Sequence, residues 1–401
     1  MKRKIILLCN TCPYGGEVFL RNELDYVPPD RSVTLFPILA TDLAAYSPLP
    51  EHIELQTVAS RPTVWDYLAA GFKSFWALLR QRELAAVFRH KQPLRNFVKA
   101  LKFGCVAESR VRRIRRWIDA NAPGEPLLFY SYWLYEAAYV AARLKALYPG
   151  SRFVSRCHGF DLYQVRHPNG YLPYRDYILS SADGVFPISD DGKAYISRIY
   201  GGKWDKKTQV MRLGTADHGL NPASSDSVVT LVSCSNLVEV KRVDRIIQAL
   251  AQAEVPLRWY HFGDGELRRS LEDQAKALPA HVEWKFMGFV PNGELMDFYR
   301  THHVDAFLNV SASEGVPVSI MEALSFGIPA VATDVGGTHE ILEDGHNGRL
   351  LRPDFGRHDL LAAILEVAQS ETMGPNARRH WEQKCDAPVN YRRFYNYLEE
   401  R

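Results

Sequence analysis

The chain has 401 residues, 46% of them hydrophobic and 24% charged, with a formal net charge of +3. These values exclude a disordered or fibrous chain and leave room for two domains of ordinary size, each with its own core. No run of about 18 apolar residues occurs, so no spanning helix is predicted, and six dispersed cysteines favour a reducing compartment.

The first predicted element is a buried strand, Lys4 to Cys9. Its charged start mimics a secretory signal, but the apolar run stops after five residues at Asn10-Thr11. Cys9 and Cys12 have the C-x-x-C spacing of a redox or metal site; with no second ligand pair, the spacing reads as incidental. Pro13-Tyr14-Gly15-Gly16-Glu17 then forms a turn in which Gly15 and Gly16 permit close approach to the backbone. Between Lys73 and Arg116 thirteen Lys or Arg stand against two acids, Glu83 and Glu108. Phe75, Trp76, Leu79, Phe88, Leu94 and Val98 are among the apolar residues interleaved at spacings near three and four, the pattern of basic amphipathic helices. Segment 72–116 therefore fits an anionic membrane surface, the alternative being a domain face whose apolar stripe is core. Nucleic acid is not expected, because no recognisable nucleic-acid fold accompanies the patch.

Further on, strand-like Phe153-Val154-Ser155 leads to Cys157-His158-Gly159-Phe160-Asp161-Leu162, where His158 reads either as a strand-end structural histidine or as a ligand contact. The breaker-rich stretch 216–227 reads as a linker between residues 1–215 and a second domain, 228–380. Val228 to Ser233 opens that domain as a strand, and Leu237 to Ala253 follows as an amphipathic helix. Alternating strands and helices in both halves predict an α/β fold with parallel sheets.

The densest signal is Ser313-Glu314-Gly315-Val316-Pro317-Val318-Ser319-Ile320-Met321-Glu322. Strand-like runs Val304 to Val310 and Ile328 to Thr333 flank it, so the unit is strand, loop, helix, strand, with a short helix from about Pro317 to Phe326. A helix start at the carboxyl end of a parallel strand offers free N–H groups and a positive dipole end to phosphate. Glu314 in the loop and Glu322 in the helix could then bind a sugar ring and ribose hydroxyls. Two glutamates around a helix start are also what a solvated, dipole-favoured face would show.

From Leu231 to Leu351 the chain resembles the donor half of family 4 retaining glycosyltransferases, of the Glu-x7-Glu type and GT-B architecture. The resemblance runs through Val232 to Asp244, His261-Phe262-Gly263-Asp264-Gly265-Glu266-Leu267, Met287-Gly288-Phe289-Val290, the glutamate pair, and Thr333-Asp334-Val335-Gly336-Gly337-Thr338-His339-Glu340. It implies two Rossmann-like domains whose parallel sheets face a central cleft, with residues 381–401 as a helix crossing back to the first. It also implies that Glu322 binds ribose, Glu314 contacts the transferred sugar, and Gly315, Val316, Pro317, Val318 and Ser319 hold sugar hydroxyls and phosphate through backbone N–H groups. Lys241 matches the lysine that neutralises the diphosphate. Phe289 and Val290 lie in the segment that contacts the base through backbone, which leaves no side-chain code for uracil against guanine. Gly15 and Gly16 match the glycine loop, and His158 the histidine over the transferred sugar. Where many members carry arginine this chain has Asn236, and Arg242 is expected to supply the missing charge.

The function implied is a metal-independent retaining glycosyltransferase, with no cofactor, that moves a sugar from a UDP- or GDP-sugar to a hydroxyl of a saccharide or lipid-linked saccharide. Its expected place is the cytoplasmic face of the cell membrane, in cell-surface polysaccharide or glycolipid synthesis. Two alternatives stay open: a GT-B sugar-nucleotide epimerase, and a catalytically inactive membrane- or nucleic-acid-binding protein on the same fold.

Overall fold

The computed structural model describes residues 2–11, 18–39, 49–56, 71, 74–79, 81–224 and 226–400. The chain divides into two compact units, one formed by Met1–Met211 with Arg392–Arg401 and the other by Arg212–Tyr391. Gly15, Gly16 and Cys12 lie outside the described residues.

In the first unit six strands, β1 (Lys4–Cys9), β2 (Val33–Pro37), β3 (Ile53–Leu55), β4 (Leu127–Ser131), β5 (Arg152–Cys157) and β6 (Gly184–Pro187), form one sheet in the order β3-β2-β1-β4-β5-β6. All pairings are parallel. The near-continuous apolar runs Ile5-Ile6-Leu7-Leu8 and Leu127-Leu128-Phe129-Tyr130 are what strands covered on both faces require. One face carries Ile6, Leu8 and Phe129 under helices Pro93–Asn121 and Glu136–Lys145. The other carries Ile5, Leu7 and Tyr130, packed with Phe394 and Tyr395.

The second unit repeats this arrangement. Strands β7 (Val229–Cys234), β8 (Leu257–Phe262), β9 (Val282–Gly288), β10 (Ala306–Asn309), β11 (Ala330–Thr333) and β12 (Gly348–Leu351) run in the order β12-β11-β10-β7-β8-β9, again all parallel. In both sheets the fourth strand in chain order lies beside the first. Strand order reverses there, which is where open α/β sheets bind ligands beyond the strand ends.

Three helices differ from their sequence expectations. The predicted helix from Leu237 to Ala253 is broken: a 3-10 turn, Glu239–Lys241, precedes the α-helix Val243–Leu250, and Arg242 between them has a left-handed φ of 50°. The helix expected from Pro317 to Phe326 spans Val318–Ser325, with Pro317 as its extended cap. Segment 381–401 is not one helix, because Trp381 sits inside helix Met373–Lys384 and helix Ala387–Glu400 starts after a break. The break exists because strand-like pairing of Thr215 with Asp386 interrupts the helical ladder, and the Trp381 indole donates to Thr215 Oγ1 at 2.8 Å.

Residues 392–401 join the first unit around a buried charge pair. Arg156 Nε on β5 lies 2.9 Å from Glu23 Oε2, both side chains wholly buried. The Tyr130 and Tyr395 hydroxyls donate to Glu23 Oε1 at 2.8 and 3.2 Å, Arg156 Nη1 donates to the Met211 carbonyl at 2.7 Å, and the guanidinium lies 4.0 Å from the Phe394 ring centre. Removing one partner of such a pair strands the other charge in an apolar interior. Arg156→Met is expected to destabilise the protein by about 3–5 kcal/mol, seen as a lower urea midpoint; a midpoint shift near zero would show the pair to be dispensable.

Candidate functional site

The site of the second unit is built by loops leaving β7 and β10, the two strands at the order reversal. After β7 the chain turns through Ser235-Asn236-Leu237 into the 3-10 turn that ends at Lys241. After β10 it enters the loop carrying Glu314, and the Ala312 N–H donating to the Val240 carbonyl at 2.8 Å fixes one loop to the other. Lys241 Nζ consequently lies 2.6 Å from Glu314 Oε1. Asn309 Nδ2, at the end of β10, is 3.4 Å from the same oxygen. An ammonium and a carboxylate, each less than a quarter exposed, thus meet at the order reversal.

Two glycine motifs hold this edge. Gly336 has φ of 57°, and a Cβ there would lie 2.1 Å from the Glu314 carbonyl oxygen; beside it the Gly337 N–H donates to the Gly315 carbonyl. Gly263 has φ of 133°, and its Cβ would lie 1.9 Å from the Ser235 carbonyl. Any side chain at either position would push the Glu314 loop or the Ser235 loop out of place. His261 props the second loop: its ring contacts Ser233 Oγ at 2.8 Å and the Ser235 carbonyl at 3.1 Å, and burial lowers its pKa to about 4, keeping it neutral.

Glu322 stands apart from the Lys241–Glu314 pair. It lies on helix Val318–Ser325, only 6% exposed, and accepts a 2.9 Å hydrogen bond from Asn292 Nδ2. Burial pushes its carboxyl up to about 7, with the Asn292 bond opposing that shift. Gly315, Val318 and Ser319 are half-buried, while Val316 and Pro317 are buried. Asn236 is exposed, as is Phe289 at 78%, and Val290 is half-buried.

Arg242 is committed to the protein. Nε donates to the Val310 carbonyl at 2.7 Å, Nη1 to the Pro353 carbonyl at 2.8 Å, and Nη2 reaches the Ser311 carbonyl and Thr333 Oγ1 at 3.2 and 3.0 Å. The side chain ties the loops beyond β10 and β12 to the last residue of β11 and covers the Phe355 ring.

In the first unit His158 follows β5 and is 7% exposed. Its ring lies 4.5 Å from Trp133, 4.9 Å from Tyr132 and 5.6 Å from Phe19, centre to centre. Neither ring nitrogen has a hydrogen-bond partner among the described residues; the nearest acid, Asp161 Oδ2, is 3.8 Å from Nδ1. Asp161 serves the backbone, accepting from the His158 N–H and the Leu134 N–H at 2.7 Å each, so it locks the β4 and β5 loops together. Sequence reasoning reached His158 and the glutamates but not Asn292, Asn309 or the aromatic wall of Trp133 and Phe19. Asparagines at element ends and aromatic residues are too common to signal a site by themselves.

Two parallel six-stranded sheets of this order, one in each unit, are those of the GT-B fold, which solved structures share. The chain superposes on HepE of Anabaena in complex with UDP and glucose with a TM-score of 0.70 at 18% identity, covering 99% of this chain and 100% of that one. On sucrose-phosphate synthase of Thermosynechococcus elongatus the TM-score is 0.74 at 16% identity, covering 99% of each. In sequence, residues 222–385 match the family described as Glycosyl transferases group 1. A relative named as the colanic acid biosynthesis glycosyltransferase WcaL of Escherichia coli K12 is 26% identical over 238 residues, which are 56% of this chain and 58% of that protein. The chain thus spans little more than half the length of that relative.

The buried Glu322 carries a stability consequence. Its folded value of about 7 lies above the ordinary 4.5, so its favourable contribution is complete below about 4.5 and is lost as pH rises through 7. Glu322→Gln, neutral at every pH and able to accept from Asn292, is expected to stabilise the protein at pH 8 by up to about 3 kcal/mol and hardly at all at pH 4.5. Thermal unfolding at the two pH values checks this, and an equal shift at both would contradict it.

Proposed function

We propose that the protein is a retaining, metal-independent glycosyltransferase using a nucleoside-diphosphate sugar. The observation that carries this reading is the Lys241–Glu314 pair at 2.6 Å, at the order reversal of a sheet whose matched family is the group 1 glycosyl transferases. Breaking the bond between the sugar C1 and phosphate oxygen sends the electron pair to that oxygen. Lys241 and the N–H groups opening helix Val318–Ser325 meet the charge as it forms. The acceptor hydroxyl bonds to C1 on the same face, and its proton passes to the departing phosphate oxygen, so no separate base is required. Glu314 accepts from hydroxyls of the transferred sugar and Glu322 from those of the ribose. Arg242, with its N–H groups on Val310, Ser311, Pro353 and Thr333, acts on the donor only by fixing the Lys241 and Glu314 loops.

The acceptor we propose is a saccharide or lipid-linked saccharide, met at the cytoplasmic membrane face. Supporting this, the basic segment buries only part of its apolar stripe. Leu78, Val87, Ala100 and Phe103 are core, whereas Phe88 is 69% and Leu94 81% exposed, and Phe75, Trp76, Leu79 and Val98 are exposed too. Arg89, Lys91, Arg95 and Lys102 are exposed among them. On helix Pro93–Asn121, Leu94, Val98 and Lys102 succeed one another a turn apart on the solvent side. Apolar side chains ringed by cations suit anionic lipid. No helix among the described residues is long and apolar enough to cross a membrane.

Nucleotide release from a panel of UDP- and GDP-sugars tests the activity. Glu314→Ala is expected to lower kcat about 100-fold and Glu322→Ala to raise the donor KM about 10-fold or more; a wild-type chain that binds no member of the panel would overturn the reading. Vesicle sedimentation tests the surface independently. More protein should pellet with phosphatidylglycerol than with phosphatidylcholine, and Phe88→Glu with Leu94→Glu should remove the difference; equal pelleting on both lipids argues against membrane docking.

A further inference from the structure

The segment Met287–Val290 ends in Pro291, the cap of helix Asn292–Thr301, so Asn292 is the first helical residue after it. That residue reaches across to another element and donates to Glu322 at 2.9 Å. Among the described residues this is the only side-chain hydrogen bond to the Glu322 carboxylate. We propose that Asn292 is a positioning residue for the nucleotide: it holds one oxygen of Glu322, leaves the other aimed at the ribose, and ties that contact to the segment on the base side. This rests on the donor-site reading above and extends it to a residue outside the glutamate motif.

The surroundings explain why an amide suits the position. Among the described residues no cation shifts Glu322, whose pKa rises by burial with the Asn292 bond pulling it back. Cys234, at the end of β7, is pushed up to about 12 first by burial and then by the Glu322 charge. Tyr299, on the same helix as Asn292 and fully buried, is raised by burial and further by the charges of Cys234 and Glu322. Lys241 lowers the Cys234 value by its charge but is itself engaged by Glu314. From helix Met373–Lys384 the near cation is Arg378, which bonds the Ser325 carbonyl at the far end of the Glu322 helix and pairs with Asp217 and Glu382. An uncharged donor is thus what favours the ionised carboxylate here. An aspartate at 292 would set a second negative charge against it, and an alanine would leave it without a partner.

Calorimetric titration with UDP and with GDP from pH 6 to 8.5 tests the proposal without any acceptor. Because the carboxylate is the stronger acceptor for ribose hydroxyls, wild-type affinity should weaken as pH falls through about 7. Asn292→Ala should bind about 10-fold more weakly at pH 8 and move the midpoint to higher pH. Asn292→Ser should recover part of both, and Asn292→Asp should lose binding at pH 8 more severely than the alanine variant. A variant that merely loosened the fold would weaken binding without moving the midpoint, and that result overturns the proposal. So does wild-type affinity with an unchanged midpoint in the alanine and aspartate variants. A wild-type chain that binds neither nucleotide overturns the donor-site reading, and this one with it.

Discussion

In a parallel sheet each strand is followed by a crossover, so all segments leaving the carboxyl ends share one edge, and where strand order reverses two of them part. In the second unit the parting falls between β7 and β10. Lys241 leaves with one segment and Glu314 with the other, and their 2.6 Å contact spans the gap that the topology opens. The rest of that edge serves this placement. Gly336 and Gly263 let neighbouring backbones lie where a side chain could not be accommodated, and Arg242 binds two loops by their carbonyl oxygens.

How much of this was legible in the sequence follows from what kind of contact each residue makes. The strands were legible because parallel strands buried on both faces read as plain apolar runs, as Ile5 to Leu8 and Val304 to Val310 do. Glu314, Glu322 and Lys241 were legible as candidates because charged groups near strand ends and a helix start form a recognisable pattern. The break at Arg242 was not, since a left-handed arginine is set by four hydrogen bonds to segments roughly 70 to 110 residues away, which no local propensity encodes. For the same reason composition shows the Arg242 cation but not where its N–H groups are engaged. Helix Met373–Lys384 ended early through Thr215, again a partner distant in sequence.

The two units bury charge in different ways. Arg156 and Glu23 are sealed with each other, with tyrosine hydroxyls and with a carbonyl, so neither charge is left unmatched, and the pair holds elements together. Among the described residues Glu322 has only the Asn292 amide as a side-chain partner, and burial disfavours its ionised form. The first arrangement matches each charge within the fold, whereas the second leaves a buried carboxylate under-satisfied. The contrast separates the two glutamates more sharply than their burial does, since both are nearly inaccessible.

The return of residues 392–401 to the first unit also sets an order of events during synthesis. Phe394 and Tyr395 share a core with Ile5 and Leu7, yet 180 residues of the second unit lie between Met211 and Arg392. At a ribosomal rate of about 5–20 residues per second, that interval lasts roughly 10–40 s. During it the surface around Glu23 and Arg156 waits without its aromatic cover. The first unit is thus begun before the second and closed after it, so the sheet face carrying Ile5, Leu7 and Tyr130 is the last to gain its full aromatic cover.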